Sequence, residues 1–312
     1  MNIVRDLNEL EKPLKNPVLT IGNFDGVHRG HLALFDRIKK IAGNVDGQSV
    51  VMTFEPHPIK VVKPGNGPPL ITPIEQKLKL ISDAEIDVIL CLPFTMEFAG
   101  IPAEDFVSDL LVDKIGIREL VVGHDYSFGQ DRKGDINLLR EMGKESGFKV
   151  HVVEPIQLNE TLVSSTSIRN LVQEGNLPEA KRLLGRDYQI TGVVKKGMGR
   201  GEKILGFPTA NLTPVDELIP KKGVYAVKVI MDDIEYNGVC NIGINPTFGG
   251  TTLSIETHVL DFSRDILGQN FTIRFISRLR DEKTFSGKDE LAKQIENDIV
   301  LAREILGMNE QE

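Results

Sequence analysis

Tryptophan is absent from the 312-residue sequence, and cysteine occurs only twice, at Cys91 and Cys240. The two cysteines lie far apart in apolar runs, so we expect two reduced, buried thiols rather than a disulfide framework. No apolar run approaches the length of a membrane span, and the charged N-terminus lacks the apolar core of a signal peptide. The sequence therefore predicts a cytoplasmic protein with no membrane partner.

An excess of positive charge is also lacking. Lysine and arginine number 37 against 45 aspartate and glutamate residues, which gives a net charge of -8. This balance argues against a nucleic-acid partner, so small anions must be held by local arrangements. The chain is long enough for two domains, each with its own core.

The segment that organises the first half is residues 22–31, Gly-Asn-Phe-Asp-Gly-Val-His-Arg-Gly-His. It follows an apolar run and precedes apolar residues at helical spacing, so the sequence predicts a strand, a tight loop and a helix. Gly22, Gly26 and Gly30 would let the backbone approach a ligand closely. Because N–H groups at a helix start attract anions, we expect a phosphate there.

His28 and His31 lie three residues apart where this helix begins. Both rings can therefore face one side and donate hydrogen bonds to one anion, stabilising a phosphoryl group during transfer. The pattern His-x-Gly-His after a first strand resembles the signature of nucleotidyltransferases that move AMP or CMP onto a phosphorylated acceptor. A zinc pair or two ordinary loop histidines are the alternatives, although helical zinc pairs more often lie four residues apart.

Strand and helix patterns alternate through the rest of the first half, as in a doubly wound parallel sheet (α/β, Rossmann-like). Strands are predicted at 49–54, 88–92, 119–122 and 149–153, and helices at 73–84, 102–115 and 135–147. A capping box formed by Thr72 and Glu75, with Pro73 at the first helical position, would start the helix at residue 73. His57 follows a strand at the sheet edge where ligands bind, so it is either a site residue or an ordinary loop histidine.

Two further segments lie at carboxyl edges or helix starts. In residues 123–129, Tyr126 and Phe128 could stack on a ring and Asp125 could accept its hydrogen bonds, or the two aromatic residues simply pin the loop. Residues 164–169, Ser-Ser-Thr-Ser-Ile-Arg, open a helix with hydroxyl groups, and Arg169 can bind phosphate oxygens. Serine-rich helix caps are common, but beside the histidine loop this segment would complete a triphosphate cradle.

From Tyr188 onward the apolar period changes to two, which predicts short strands at 189–194, 224–231, 236–242, 253–259 and 271–276. These strands suggest a closed antiparallel β-barrel, with a final helix from Ser286 to Gly307 lying across it. The sequence thus predicts two domains, residues 1–184 and 185–312.

A glycine-rich segment follows the first barrel strand. Gly197, Gly199 and Gly201 could wrap backbone donors around phosphates, although the spacing is not that of a Walker loop. Thr209 and Asn211 offer neutral oxygens on one face of an extended segment, which suits Mg²⁺. A glycine-rich hairpin without a ligand is the alternative.

Glu256 lies in a strand among apolar and hydroxyl-bearing neighbours. It is either an outward, solvated acid or the group that accepts the proton of an alcohol attacking ATP.

Together these motifs resemble the bacterial bifunctional riboflavin kinase/FMN adenylyltransferase (FAD synthetase) family over residues 17–306. The segments that carry the resemblance are residues 22–31, 53–58, 123–129, 164–169, 206–211, 241–247 and 256–258. The resemblance implies that the C-terminal barrel phosphorylates riboflavin with ATP and Mg²⁺, and that the N-terminal domain joins the FMN product to AMP from a second ATP, giving FAD.

The resemblance also implies residue roles. Glu256 would be the base, Thr209 and Asn211 would hold Mg²⁺, and His28 and His31 would contact the ATP phosphates. Flavin contacts would come from Asp125, Tyr126 and Phe128. Nucleotide contacts would come from Gly22, Asn23, Phe24, Asp25, Gly30, Ser164, Thr166, Arg169, Gly197, Gly199, Gly201 and Lys203.

One departure from the family pattern precedes residues 206–211. Members often carry Gly-Arg where this sequence has Glu202 and Lys203, so the charge is kept but the planar arginine fork is lost. Two other hypotheses stay open at this point: a chain with one active and one degenerate domain, and a nucleotide- or flavin-binding regulator without turnover.

Overall fold

The computed structural model describes residues 2–10, 13–195, 210–214, 217–247, 250–264 and 266–308. The chain divides into two compact units, Met1–Ser165 and Thr166–Glu312. Each unit is built around its own sheet. Within the described residues, no helix combines the length and apolar character needed to cross a membrane.

The first unit contains a six-stranded parallel sheet in the order β1-β4-β3-β2-β5-β6. Its strands are β1 Asn2–Val4, β2 Val18–Ile21, β3 Ser49–Glu55, β4 Val88–Pro93, β5 Glu119–Gly123 and β6 Lys149–Val153. The parallel sheet predicted from the alternating pattern is confirmed. The sequence prediction missed β1, a three-residue edge strand that pairs with β4.

Helices cover both faces of this sheet. They are α1 Arg29–Asn44, α2 Pro58–Val62, α3 Ile74–Asp83, α4 Met96–Ala99, α5 Ala103–Asp105 and α6 Ile136–Ser146. Val18 and Val51 belong to a core with the inner sides of α1 and α3. Leu19, Val50 and Met52, which alternate with them, belong to the core of the opposite face. Strands that are apolar on both sides therefore produce the doubly wound arrangement.

The predicted helix at 102–115 is present, but most of it is not α-helical. After α5, residues Phe106–Ile115 form a π-helix, which ends at Gly116 in the left-handed conformation (φ 69°). Phe106, Val107 and Leu111 of this segment pack in the core. A short hairpin of β7 Gln157–Leu158 and β8 Thr161–Leu162 follows β6.

The second unit contains a closed antiparallel barrel in the order β10-β13-β12-β11-β14-β9. Its strands are β9 Tyr188–Lys195, β10 Ala210–Pro214, β11 Gly223–Met231, β12 Ile234–Thr247, β13 Gly250–Val259 and β14 Asn270–Arg280. The predicted barrel is confirmed, and β10 is the strand that the sequence prediction missed. Large side chains such as Tyr225, Phe271 and Phe275 are fully buried.

Three helices belong to or enter the second unit: α7 Ser165–Glu174, α8 Leu177–Leu184 and α9 Lys288–Ile305. The last helix packs on the barrel, where Ala302 joins a core with Val224, Ala226 and Val239. The predicted helix across the barrel is thus confirmed. The predicted domain boundary at 184/185 stays a prediction.

Candidate active sites

The loop of residues 22–31 follows β2 directly, as predicted, and it is tightly wound. Gly22 N–H donates to the carbonyl of Met52 at 3.1 Å. A Cβ on Gly22 would lie 2.9 Å from the Phe24 ring, so only glycine leaves room for that ring. Phe24 and Val27 have positive φ values of 48° and 37°, which non-glycine residues rarely adopt. The loop conformation must therefore be held by its surroundings.

One such support is the Phe24 side chain, which is only 2% exposed. Its ring contacts the edges of Phe35 and His31, with centroid distances of 5.0 and 5.1 Å. Phe24 thus anchors the loop in the core between the sheet and α1. A nucleotide contact for Phe24 stays a prediction.

A second support is the buried carboxylate of Asp25. It accepts the N–H groups of Ile71 at 3.0 Å and Thr72 at 3.1 Å. In return, the Thr72 hydroxyl accepts the N–H of Gly26 at 3.0 Å. The predicted capping box is therefore wrong: α3 has Pro73 at its N-cap with no side-chain cap, because the Thr72 hydroxyl binds the loop instead. A nucleotide contact for Asp25 stays a prediction.

The two histidines come together where α1 begins. His28 is the N-cap, and its Nδ1 accepts the backbone N–H of His31 at 3.3 Å. The rings stack with their centroids 3.5 Å apart and their planes inclined by 20°. Because Nδ1 is an acceptor, a neutral His28 carries its proton on Nε2. Gly30 keeps this space open, since a Cβ there would lie 3.1 Å from the His28 ring.

His57 lies after β3 and caps α2, because its Nδ1 accepts the N–H of Ile59 at 3.2 Å. With Asp25, Glu55 and Lys77 it also lines a cavity of about 10 Å³. That volume has room for about one water molecule. His57 therefore caps α2 beside Asp25 and Lys77, and a role for it in the site stays a prediction.

Sequence reasoning missed Lys77, which is buried on α3. It is 4% exposed, and its Nζ donates to the Thr53 hydroxyl at 3.1 Å and to the carbonyls of Asn23 and Phe54 at 3.2 Å each. Burial lowers the pKa of Lys77. Its position in the sequence could have indicated that it is buried, because Lys77 lies on the inward-facing side of α3 with Leu78 and Ile81.

The hydroxyl-rich segment begins where predicted, with α7 starting at Ser165. The Ser165 hydroxyl donates to the carbonyl of Asp25 at 2.9 Å, so the start of α7 is bonded to the histidine loop. Ser165 was not among the predicted site residues. Ser164, Thr166 and Arg169 stay predicted phosphate contacts.

In the loop after β5, the Tyr126 and Phe128 rings stack on each other at 5.7 Å. Phe128 is buried and packs on Phe106, while burial raises the pKa of the Tyr126 phenol. The Asp125 side chain is 85% exposed. The two rings therefore pin this loop, which was the alternative interpretation. Flavin contacts for Asp125, Tyr126 and Phe128 stay predictions.

In the second unit, the strand register puts Glu256 of β13 directly between Asn211 of β10 and Asn241 of β12. The neighbouring Ile255 and Thr257 are buried, so strand alternation turns Glu256 to the outer face of the barrel. There it is half-buried.

Further groups surround this carboxylate. The Ser254 hydroxyl donates to Glu256 Oε1 at 2.8 Å. Gly243, two residues beyond Asn241, lies against the Glu282 carboxylate, which a Cβ at Gly243 would meet. Glu256 is thus outward, but it lies among polar groups rather than alone in solvent. Sequence reasoning missed Asn241 and Glu282, although Asn241 opens one of the motifs that carried the resemblance.

Several predicted ligands fall outside the described residues: Gly197, Gly199, Gly201, Lys203 and Thr209. The expected pair of buried, free thiols is confirmed. Burial raises the pKa of Cys240, which lies behind the Glu256 face, to about 12. In the parts of the chain that the structure describes, no group of three or more histidine, cysteine or acidic side chains forms a metal centre.

Comparisons with known proteins assign each unit to a family. Residues 10–167 match the model of FAD synthetase, and residues 184–306 match the model of riboflavin kinase. The bifunctional riboflavin kinase/FMN adenylyltransferase of Escherichia coli K12 is 37% identical over 99% of both chains. Proteins with the same name from Buchnera aphidicola (strain APS) and Pseudomonas fluorescens are 35% and 37% identical over 99% and 97% of both chains.

A solved structure shares the fold. The crystal structure named as a macrolide-efflux protein from Streptococcus pneumoniae is 30% identical, with a TM-score of 0.86 over 96% of this chain and 98% of that chain. The efflux role in that name refers to the S. pneumoniae protein, and the likeness to this chain concerns the fold. The two family models and the full-length relatives agree in order and extent, and the chain therefore belongs to the family of bifunctional riboflavin kinases/FMN adenylyltransferases.

Proposed function

We propose that this chain makes FAD from riboflavin in two ATP-dependent steps, each carried by its own domain. The C-terminal domain transfers the terminal phosphoryl group of ATP to riboflavin, giving FMN and ADP. The N-terminal domain transfers AMP from a second ATP to FMN, giving FAD and pyrophosphate. The observation that carries the proposal is the presence, on one chain of this family, of a stacked histidine pair at a helix start and a flanked carboxylate on a barrel face.

The adenylyl-transfer step depends on stabilising the negative charge of the phosphates more than on a general base. A phosphate oxygen of FMN attacks the α-phosphorus of ATP, and the bond to pyrophosphate breaks. Because the attacking phosphate is already ionised, hydrogen-bond donors aimed at the phosphates supply the catalysis. His28 donates through Nε2, and His31 lies stacked against it. Backbone N–H groups at Asn23 and Gly30 add further donors, while Gly22 lets the backbone approach closely.

The rest of the N-terminal site surrounds the two substrates. Ser164, Thr166 and Arg169, at and just before the start of α7, bind phosphate oxygens of ATP, with Arg169 as the bidentate group. The loop of Asp125, Tyr126 and Phe128 lies beside the flavin. In this scheme Phe24 and Asp25 act through the backbone that they hold in place.

The phosphorylation step has a different requirement, since the attacking ribityl hydroxyl of riboflavin is a neutral alcohol. Glu256 accepts its proton as the hydroxyl oxygen bonds to the γ-phosphorus. The Ser254 hydroxyl donates to Glu256 Oε1 and helps to orient the carboxylate. Asn211 and Asn241 flank the carboxylate and orient the hydroxyl and the phosphates.

Magnesium is the ion that this donor set fits, because neutral amide and hydroxyl oxygens beside a carboxylate are hard ligands. Thr209 and Asn211 would hold Mg²⁺, and the ion would neutralise the charge on the ATP phosphates. Gly197, Gly199, Gly201 and Lys203 would bind those phosphates from the glycine-rich segment. The two free thiols support a cytoplasmic location, where thiols stay reduced.

Two matched variants test the assignment of the activities. Glu256→Gln keeps the shape of the side chain but cannot accept the proton, so FMN formation should fall by about 10²-fold or more. FAD formation from supplied FMN should stay within twofold. His28→Asn keeps an N-cap acceptor for His31 but removes the imidazole, so it should give the reverse pattern.

The assay is chromatographic separation of riboflavin, FMN and FAD after incubation with ATP, with and without Mg²⁺. Equal loss of both activities in either variant would contradict separate sites. If the unchanged protein formed no flavin product, the proposed function itself would fail. Formation of only one product would favour a chain with one degenerate domain.

A further inference from the structure

Lys77 is a buried cation whose bonding partners are all neutral. Its three hydrogen bonds go to two carbonyl oxygens and one hydroxyl, and the side chain is 4% exposed. An ammonium group has three donors, so these bonds use all of them. Burying a charged group costs free energy unless hydrogen bonds and nearby opposite charges compensate for its lost hydration. The position of its acceptors therefore indicates what Lys77 does.

The three acceptors lie at the ends of two neighbouring strands. Thr53 and Phe54 belong to the end of β3, whereas Asn23 is the second residue of the loop after β2. The Thr53 hydroxyl also donates to the Asn23 carbonyl, at 3.2 Å. Lys77 and Thr53 thus hold the same loop carbonyl from two directions. This carbonyl lies one residue before Phe24, where φ turns positive.

The opposite side of the loop is held separately, by the bonds of Asp25 and Gly26 to residues 71–72. The strained conformation of residues 24–27 is therefore held just before its start and in its middle, and Lys77 provides the first of these two attachments. The carboxylates of Glu55 and Asp25 lie near enough to favour its charged form, against the effect of burial.

We propose that Lys77 is a positioning residue for adenylyl transfer: its ammonium fixes the Asn23 carbonyl, and thereby the backbone that carries His28 and His31, against the end of β3. The proposal rests on the proposed function of the histidine loop. Lys77 touches neither ATP nor FMN in this scheme. It acts by setting where the loop donors point.

The test uses the full-length protein and compares Lys77→Met with Thr53→Val. Lys77→Met keeps the length of the side chain but removes the three donors, so kcat/KM for ATP in FAD formation should fall at least tenfold. Part of that fall should be a rise of at least threefold in KM for ATP, because misplaced donors bind the phosphates less well. Thr53→Val should lower kcat/KM about threefold or more.

The matched control is Thr20→Val. Thr20 is also fully buried, on β2, and its hydroxyl has no hydrogen-bond partner among the described residues. This variant should form FAD within twofold of the unchanged protein. Riboflavin phosphorylation by the same preparations should be unchanged in all three variants, since that activity belongs to the other domain.

A purely structural role for Lys77 would lower the fraction of folded protein, and with it the rate, without changing KM for ATP. An unchanged KM in both Lys77→Met and Thr53→Val, measured well below their thermal transitions, would overturn the proposal. If Lys77→Met does not fold, the result with Thr53→Val decides. If the unchanged protein and Thr20→Val form no FAD, the proposed function fails rather than the role of Lys77.

Discussion

The free energy of unfolding should vary with pH because of Glu217, a buried acid in the barrel domain. Glu217 is 6% exposed, and its carboxylate accepts the N–H of Thr191 on β9 at 3.0 Å. Burial raises the pKa of Glu217 from 4.5 to about 7, and the bond from Thr191 opposes that rise. Between these two pH values the folded state holds a proton that the unfolded state has released.

This difference in bound protons sets the direction in which the free energy of unfolding changes with pH. Because the native state binds more protons, the free energy of unfolding decreases as pH rises from about 4.5 to about 7, and then stays level for this group. A shift from 4.5 to about 7 corresponds to about 3 kcal/mol at most, since one pKa unit is about 1.4 kcal/mol. Glu217→Gln stays neutral and can still accept the Thr191 N–H. It should therefore match the unchanged protein near pH 4.5 and exceed it by up to about 3 kcal/mol at pH 8.

Urea unfolding across this pH range, followed by tyrosine fluorescence, would measure the difference. Three of the four tyrosines, Tyr188, Tyr225 and Tyr236, lie in the barrel domain, so the signal reports mainly on that domain. Glu296→Gln, an exposed position on α9, is the control and should change the pH profile little. Parallel profiles for Glu217→Gln and the unchanged protein would refute the reasoning.

Two further substitutions test buried side-chain contacts, one in each domain. Asp298→Ala leaves the Arg280 guanidinium, which donates to Asp298 through Nε at 2.8 Å and Nη2 at 2.6 Å, without its buried partner. The barrel domain should lose about 3–5 kcal/mol in urea unfolding, and a loss below about 1 kcal/mol would contradict a buried pair. Thr72→Val removes the acceptor of the Gly26 N–H. It should destabilise the N-terminal domain by about 1–3 kcal/mol and slow FAD formation more than FMN formation, so equal slowing of both would count against it.

Elements with strong local periodicity were predictable from the sequence. The strands β2 to β6 and helices such as α1 and α6 have apolar patterns and capping residues within a few positions, such as Asp135 before α6. The sheet strands that the sequence prediction missed, β1 and β10, did not have such a signal. β1 has three residues and pairs with β4, and β10 has five residues and pairs with both β13 and β9, so each is held by strands from elsewhere in the sequence.

The features of the candidate sites also differ in whether they could be predicted from the sequence. The histidine spacing and the motif around Glu256 could be identified in the sequence, because each chemical group lies on a short, continuous segment. The contacts that hold these groups in place could not be identified in the sequence, because their partners are far apart in the chain. Lys77 lies 54 positions from Asn23, and Thr72 lies 47 positions from Asp25.

The family and the two fold classes could be read from the residues alone, and so could the candidate site segments, since periodicity and motif spacing are local properties of the chain. Two contacts depend on the packed fold: the Thr72 hydroxyl binds the loop at Gly26 and does not cap a helix, and the buried Lys77 binds the Asn23 carbonyl of the same loop. The tertiary structure also decided that Glu256 lies between two asparagines. The physical reason is that a side chain bonds to whichever partners the packed strands and helices bring near it, and those partners come from distant parts of the sequence.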